Sequence, residues 1–423
     1  MKSNFGVNVR SEIGRLEGVI LHTPGPEVEN MTPQNAERAL YSDILNLSVA
    51  GNEYRQLSGV LQKFCNTFQV KELLSDILED EVVKYALIKE ICQLDDVETE
   101  FDRLLDLKAP ELARQLLEGS VIIRDNLTRY LSKDRFSLRP LHNFFFTRDA
   151  SMSMYDEVLI GRMANRVRER ESLIMEAIFK HHPHFGVNTL NPLKPAEGKA
   201  DMKSTIEGGD VLIARDDVLL IGTGSRTSSQ GIDFIIETLK AQKDKVHHIV
   251  VQELPHTPES FIHLDMVFTF LDTNACMVYE PLILKDNPYQ TIHIQIENGR
   301  VSKIENETNI LSALSKLGFD LKPISCGGTV DPWIQEREQW HSGANFFALA
   351  PGKVIGYERN EHTIEALNQN GFEVVSALDI MNDKVDVKTL GRSVITIAGS
   401  ELARGGGGCR CMTMPVKRQS VEW

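Results

Sequence analysis

Two cysteines near the C-terminus could supply a nucleophilic thiol. The segment RGGGGCRCMTMP places Cys409 and Cys411 directly after four consecutive glycines. A flexible approach followed by a thiol is what a nucleophile on a movable loop needs, because the loop must admit the substrate and then close over it. A mobile linker with incidental cysteines, or a redox-sensitive surface pair, is the alternative. The spacing does not choose between the two thiols.

Acidic side chains and a histidine accompany two predicted strands. In HLDMVF, His263 and Asp265 are two residues apart on a predicted strand, so both side chains leave the same face. An imidazole beside a carboxylate can stay protonated at neutral pH, which suits a general acid that later acts as a base. In IEGGDVL, two glycines allow a sharp bend that directs Glu207 and Asp210 toward the same end. A structural histidine and a plain tight turn are the alternatives.

Arginines recur where predicted hairpins lead into helices. They are Arg162, Arg166 and Arg168 in GRMANRVRER, and Arg226 in GTGSRTSSQ. A guanidinium near an acidic centre can hold a substrate carboxylate through two parallel hydrogen bonds, although most such arginines are simply solvated. Several carboxylates and an arginine clamp together match a ligand that is cationic at one end and anionic at the other. Arginine is such a molecule.

An internal repeat must position these residues. Four segments each start with an acid or amide, run through an alternating apolar stretch, turn, and return through a second apolar stretch. The starts are Asp149, Asp210, Asp265 and Asn345, and the turns are Asp156, Asp216, Asp272 and Gly352, at offsets of 7, 6, 7 and 7. The unit is predicted to be a β-hairpin, a helix and a further strand, with the N-terminal EIGRLEGVILHTPG as a candidate fifth copy. Around a pseudo-symmetry axis, the residues that open the first strands would converge.

A helical region interrupts this pattern. Residues 75–138 carry apolar side chains at i, i+3 and i+4 spacing with charges between them, as in SDILEDEVVKYALIKEICQLDD. We therefore expect an inserted helical domain at 75–138 and a catalytic α/β domain made of 1–74 and 139–423.

Composition limits the classes of partner. The chain of 423 residues is 42% hydrophobic and has a formal net charge of −14, which argues against a nucleic-acid surface and is compatible with a small cationic ligand. The N-terminus has no apolar core of a signal peptide, and no apolar run is long enough to span a bilayer, so a cytoplasmic protein with no membrane partner is expected. The six cysteines form no C-x-x-C pair and are expected to be reduced.

Several motifs in order resemble the arginine deiminases of the pentein superfamily. They are SEIGRLEGVILHTPG, NMTPQNAERALYSDI, NFFFTRD, EGGD, GTGSRTSSQ, HLDMVFT, EQWHSGANFFALAPGKVIGYERN and RCMTMP, and they span essentially the whole chain. The resemblance implies a five-bladed α/β propeller of ββαβ units with an inserted helical bundle.

The resemblance also implies a role for each site residue. It identifies Cys411 as the nucleophile, His263 as general acid and base, Glu207 as the carboxylate that orients it, and Asp149 and Asp265 as the pair that binds the guanidinium. Asn143, Arg168 and Arg226 fall where the α-carboxylate end of the substrate binds, and Asp210 is assigned to substrate binding beside them. Cys409 is expected to be a spectator. Gly406 stands where some members carry an additional arginine.

The implied reaction converts L-arginine to L-citrulline and ammonia without a metal or other cofactor. Cys411 attacks the guanidinium carbon, and His263 protonates the departing ammonia and then activates water. A hydrolase that continues to ornithine and an amidinotransferase are the enzymatic alternatives. The non-enzymatic alternatives are an inactive arginine sensor and a purely structural protein. A homo-oligomer is expected.

Overall fold

Five of the β-sheets formed by the described residues share one design. The computed structural model describes residues 5–41, 43–195 and 201–423. Four of these sheets contain the hairpins Ser151–Met154 with Glu157–Ile160, Val211–Arg215 with Val218–Thr223, Phe268–Asp272 with Ala275–Val278, and Phe347–Ala350 with Lys353–Tyr357. In each sheet a later strand pairs in parallel with the second hairpin strand; these are Thr189–Leu190, His247–Glu253, Lys322–Ser325 and Ser393–Ile397. The four predicted hairpins are therefore confirmed.

A helix connects each hairpin to its parallel strand. These helices are Glu169–His181, Ser229–Lys240, Ile310–Lys316 and Glu361–Gln369. Polar side chains begin two of them, because the Ser228 side chain accepts from the Gly231 amide, and Asn309 and Ser312 form a capping box. The helix–strand order confirms the predicted repeat unit.

The fifth sheet joins the two ends of the chain. Its strand Leu16–Leu21 pairs in parallel with Asn66–Gln69, across the helix Leu47–Phe64, and antiparallel with Met414–Arg418. The N-terminal copy therefore takes the missing hairpin strand from the C-terminus, directly after the segment that contains Cys411. Closure of this sheet positions the candidate nucleophile.

Helices fill most of the region that was predicted to be an insertion. They are Val70–Ile77, Glu81–Leu94, Phe101–Leu105, Ala109–Glu118 and Leu127–Leu131, and the two-stranded sheet Ser120–Val121 with Phe136–Leu138 closes the segment. Leu87, Ile88 and Leu112 belong to the same hydrophobic cluster as Ile174 and Phe179 of the first connecting helix. Their apolar faces are buried against the α/β body, and the division into two domains at 75 and 138 stays a prediction.

Shorter elements complete the structure. They are the helices Pro26–Glu29, Pro33–Ala36, Thr147–Ala150, Glu280–Ile283, Pro332–Trp340 and Ala377–Met381, the strands Thr291–Glu297 and Arg300–Glu307, which extend the second sheet, and Glu373–Ser376, which extends the fourth. Among residues 5–41, 43–195 and 201–423, no helix is both long enough and apolar enough to cross a membrane.

Candidate active site

The residues that precede the first strands of the five sheets contact one another. Asp149 lies in the helical turn Thr147–Ala150, and Asp210 and Asp265 lie in short 3₁₀ turns at Gly208–Asp210 and Leu264–Met266. Asp210 accepts from the Leu264 amide at 2.9 Å. The predicted convergence is confirmed. The placement of His263 and Asp265 on a strand was wrong, because Asp265 lies in the helical turn Leu264–Met266, His263 directly precedes that turn, and the strand begins only at Phe268.

The Cys411 thiol lines the cavity at this convergence, whereas Cys409 does not. The Asn345 side-chain amide donates to Cys411 Sγ at 3.2 Å, and Asp265 Oδ2 lies 3.7 Å from the same sulfur. Burial, followed by the negative charges of Asp265 and Asp149, raises the pKa of the Cys411 thiol well above its ordinary value. The thiol is therefore neutral at pH 7 until a cation compensates the carboxylates. Cys409 is fully buried within an apolar cluster.

The glycine run before these cysteines packs closely against its neighbours. A β-carbon on Gly408 would lie 2.6 Å from Asn345 Cβ, and one on Gly407 would lie 2.5 Å from the Phe146 ring. The Tyr357 hydroxyl donates to the Gly407 carbonyl at 2.9 Å. The glycines thus permit a close backbone approach. Their predicted role as a movable hinge stays a prediction.

His263 lies between two carboxylates. Its Nε2 is 3.0 Å from Glu207 Oε2, and its Nδ1 is 3.7 Å from Asp149 Oδ1. Although burial opposes the charge, Asp149 and the hydrogen bond to Glu207 raise the pKa of His263 to about 9. Burial is likewise outweighed at Glu207, where His263 lowers the pKa to about 2. The geometry favours an imidazolium at neutral pH, a form that can donate a proton to a leaving group.

The EGGD turn brings Glu207 and Asp210 to the site, as the sequence predicted. A β-carbon on Gly209 would lie 2.4 Å from His263 Nδ1, so only glycine allows the imidazole to pack here. Asp210 lies behind this layer and does not line the cavity, and burial raises its pKa to about 7. Its contact with the Leu264 amide positions the turn that contains His263 and Asp265.

A buried arginine that the sequence analysis missed supports Asp265. Arg410 lies between the two cysteines; its NH1 donates to Asp265 Oδ2 at 2.8 Å, and its Nε and NH2 donate to Glu12 at 2.9 and 3.0 Å. Despite Arg410, burial raises the pKa of Asp265. No spacing rule points to Arg410, because its partner Glu12 is 398 residues away. Asn345 was recognisable from its register in the repeat.

The Arg168 guanidinium is already hydrogen-bonded to other groups of the protein. It donates to Asp149 Oδ2 at 2.7 Å and to Glu171 at 2.8 Å, with longer contacts to the carbonyls of Asn143 and Phe146. Glu171 is a second residue that the sequence analysis missed. Arg168 lines the cavity, yet these bonds make it a support for Asp149.

The Arg226 guanidinium is more available to a ligand than that of Arg168. Its nearest ion-pair contact among the described residues is Glu207 at 4.0 Å, and its side chain is 17% exposed and lines the cavity. Arg162 pairs with Glu169, and Arg166 pairs with Asp96 at 2.7 Å, so the structure brings neither of these arginines to the cavity.

The cavity has a volume of about 370 Å³, which is large enough for an amino acid. Six of the nine predicted site residues line it: Asn143, Asp149, Arg168, Arg226, His263 and Cys411. Glu207, Asp210 and Asp265 lie behind them. Asp149 Oδ1 and His263 Nδ1 are buried and make no hydrogen bond to the described residues, so both can serve a ligand.

Three of these side chains also have the spacing of a metal site. Ligand atoms of Asp149, Glu207 and His263 lie within 4.8 Å of one another. A histidine must be neutral to bind a metal, and the raised pKa of His263 opposes this.

Known proteins match the chain over its length. A family model described as arginine deiminase matches residues 37–418. The arginine deiminase of Oenococcus oeni is 33% identical over 435 residues, covering 98% of this chain and 98% of the relative. The arginine deiminase of Listeria monocytogenes is 31% identical over 439 residues, covering 100% of both chains.

Solved structures share the fold at low sequence identity. SxtG, an amidinotransferase from Microseira wollei, aligns with a TM-score of 0.54 at 14% identity, covering 98% of each chain. The N-terminal domain of ArgZ, covalently bound to a reaction intermediate, aligns with a TM-score of 0.52 at 13% identity, covering 95% of this chain and 98% of that one. This likeness identifies the mixed α/β pentein fold. Together with the family match, it shows that the chain belongs to the arginine deiminase family, hydrolases of the pentein superfamily.

Proposed function

We propose that the protein hydrolyses L-arginine to L-citrulline and ammonia through a covalent S-amidino intermediate on Cys411, as the first step of arginine catabolism by the deiminase pathway. The observation that supports this most directly is the placement of the Cys411 thiol beside Asp265, in a cavity that also exposes Asp149 and His263. Two carboxylates can hold the planar guanidinium through charge-assisted hydrogen bonds and present its carbon to the sulfur.

The cationic substrate supplies the positive charge that favours the thiolate form of Cys411. In the free protein the carboxylates oppose ionisation of Cys411. A bound guanidinium neutralises them, so the Cys411 proton is released to solvent as the substrate binds, and the thiolate forms where the electrophilic carbon is held. The sulfur adds to this carbon, and the carbon–nitrogen bond breaks as the imidazolium of His263 gives its proton to the departing ammonia. The neutral imidazole then takes a proton from the attacking water, and the carbon–sulfur bond breaks to release citrulline and the Cys411 thiolate. Glu207 keeps the ring in position and stabilises its charge.

Arg226 and Asn143 line the same cavity and are the residues that we assign to the amino-acid end of the substrate. Arg226 is free to bind the α-carboxylate. Asn143 donates its Nδ2 to the Ala39 carbonyl at 2.8 Å, which leaves its Oδ1 as an acceptor suited to the α-ammonium group. Arg168 positions Asp149. We further propose that the five sheets are the blades of a pseudo-symmetric propeller, since the segments that open their first strands contact one another around this one site.

Comparison of Cys411→Ala with Cys409→Ala in an arginine-to-citrulline assay tests the proposal. We expect the first substitution to abolish turnover and the second to retain most of it, because only Cys411 faces the cavity. Equal loss in both variants would contradict the assignment of one nucleophile. Mass analysis of the products separates the alternatives, and ornithine as sole product would overturn the proposed reaction.

A further inference from the structure

A second cavity, of about 400 Å³, adjoins the catalytic one. It lies between the end of the helix Glu81–Leu94, the segment around the strand Phe136–Leu138 and the start of the helix Glu169–His181. Asn143 lines both cavities, so they share a wall. The proposed reaction makes no use of this second space.

The charges on its walls do not cancel locally. Four arginines and four acids line it: Arg38, Arg139, Arg166, Arg170, Asp95, Asp96, Asp134 and Glu171. Arg170 pairs with Asp95 at 2.8 Å, Arg166 with Asp96, and Glu171 with Arg168. The four positive and four negative charges of the lining are equal in number, but among the described residues Arg38, Arg139 and Asp134 have no ion pair, which leaves two cations and one anion unpaired. Burial and the charge of Arg139 lower the pKa of Arg38, which shows that the two guanidiniums repel each other.

Two buried nitrogen atoms on the inner wall also have no hydrogen-bond partner among the described residues. They are Arg170 Nε and His142 Nε2, on side chains of residues that are 3% and 6% exposed. His142 Nδ1 lies 2.5 Å from the Glu27 carbonyl, which can only accept, so Nδ1 has the hydrogen and Nε2 is an open acceptor. A buried polar atom left unpaired is destabilising. The wall thus offers an unused donor and an unused acceptor.

We propose that this cavity binds a small oxyanion, a phosphate or carboxylate group, between the guanidiniums of Arg38 and Arg139. Oxyanion oxygens accept from guanidinium groups with matching geometry. A hydroxyl of the same ligand can donate to His142 Nε2, and Arg170 Nε can donate to one of its oxygens. The negative charge of Asp134 also acts on Arg38, which suits a compact anion rather than a polyanion.

Calorimetric titration of the full-length protein tests the site. Inorganic phosphate and malonate are titrated separately, at an ionic strength held constant with chloride. We expect saturable binding of at least one of them, and affinity reduced at least about tenfold in the double variant Arg38→Gln/Arg139→Gln. Arg300→Gln, at an exposed arginine on the strand Arg300–Glu307, should bind as tightly as the wild type. Phosphate binding alone identifies a phosphate site, and malonate binding alone a carboxylate site.

Arginine turnover without added anion should be unchanged in the double variant, because neither side chain lines the catalytic cavity. If the double variant does not fold, each single variant should weaken binding at least about threefold. The proposal is overturned if neither anion saturates the wild type or if the variants bind as the wild type does. It is also overturned if arginine displaces the anion competitively in wild type and variant alike, since the anion then occupies the catalytic cavity.

Discussion

At the scale of single residues, the site is built around negative charge that the protein leaves partly uncompensated. Among the described residues, Asp149 keeps one oxygen without a hydrogen bond, and Asp265 lies beside the thiol with Arg410 as its ion-pair partner. Burial and these carboxylates raise the pKa of Cys411, which would make it a poor nucleophile acting alone. A cationic substrate makes Cys411 a good nucleophile, because ionisation of the thiol is then coupled to substrate binding. In the free enzyme, the protonated thiol of Cys411 is also less reactive toward other electrophiles.

The substitution Asp265→Asn should separate thiol ionisation from turnover. Removing this charge takes away a carboxylate beside Cys411 Sγ and leaves Arg410 paired with Glu12 alone, so the thiol pKa falls. We expect alkylation of Cys411 by iodoacetamide at a fixed neutral pH to become at least about fivefold faster. Citrulline formation should fall at least about 100-fold, because the guanidinium is no longer oriented. Mass spectrometry follows the labelling, with Cys411→Ser/Asp265→Asn as the control, and slower labelling would contradict the charge argument.

His263 should make stability depend on pH in the alkaline range. Its pKa is raised from 6.5 to about 9, so the stabilising effect of its charge is complete below 6.5 and is lost as the pH rises through 9. Between these values the unfolded chain releases the proton that the folded chain keeps, at about 1.4 kcal/mol per pH unit. Urea denaturation across this pH range should show the free energy of unfolding falling as the pH rises. The His263→Gln variant should show a smaller fall. An unchanged slope in the variant would refute the assignment.

At the scale of elements, short helical turns before the strands present the functional side chains. In Thr147–Ala150, Gly208–Asp210 and Leu264–Met266, the turn places an acid at the site before the strand enters the core. Such turns require close backbone packing. A β-carbon on Gly208 would lie 2.0 Å from the Arg148 carbonyl oxygen, so this glycine allows two of the turns to meet.

The substitution Gly209→Ala should damage catalysis through His263. The new methyl group would lie 2.4 Å from Nδ1 and 2.5 Å from Cγ, so the ring must shift. A displacement of this size costs about 100-fold in kcat, and KM should change less because Arg226 and Asn143 remain in place. Steady-state kinetics measure both values.

Gly51→Ala is the matched control for this variant. Gly51 lies in the helix Leu47–Phe64 and has no atom within 4 Å of an added β-carbon. It should keep full activity and gain about 0.5–1 kcal/mol of stability. Normal activity of Gly209→Ala would show that the imidazole does not depend on this packing.

At the scale of the whole molecule, the chain closes on itself. Residues 16–21 and 414–418 are neighbours in one sheet, so the candidate nucleophile is held by contacts between the two ends of the sequence. Arg418 extends this closure, since it donates to the Gly14 carbonyl at 2.6 Å and to the Ala348 carbonyl at 2.8 Å. It therefore ties the fifth sheet to the fourth.

Arg418→Gln should weaken the closure. Loss of these buried bonds leaves two carbonyl oxygens unpaired, and we expect the free energy of unfolding to fall by about 2–3 kcal/mol. Arg300→Gln, on the exposed face of Arg300–Glu307, should change it by less than about 0.5 kcal/mol. Urea denaturation midpoints measured for the two variants test this difference in stability. Equal midpoints would show that the link between the sheets is not stabilising.

The local pattern of the sequence determined the hairpins and their helices, because apolar alternation and turn chemistry act over a few residues, and the repeat predicted that their opening residues converge if the copies pack around one axis. Residues alone left the choice between Cys409 and Cys411 open; the family resemblance selected Cys411, and the structure places that thiol on the cavity. Only the tertiary structure decided that Arg410 binds Glu12, that Asn345 binds the Cys411 thiol, and that Arg418 binds the Ala348 carbonyl. These features depend on contacts between residues far apart in the chain, whose energies no short pattern encodes.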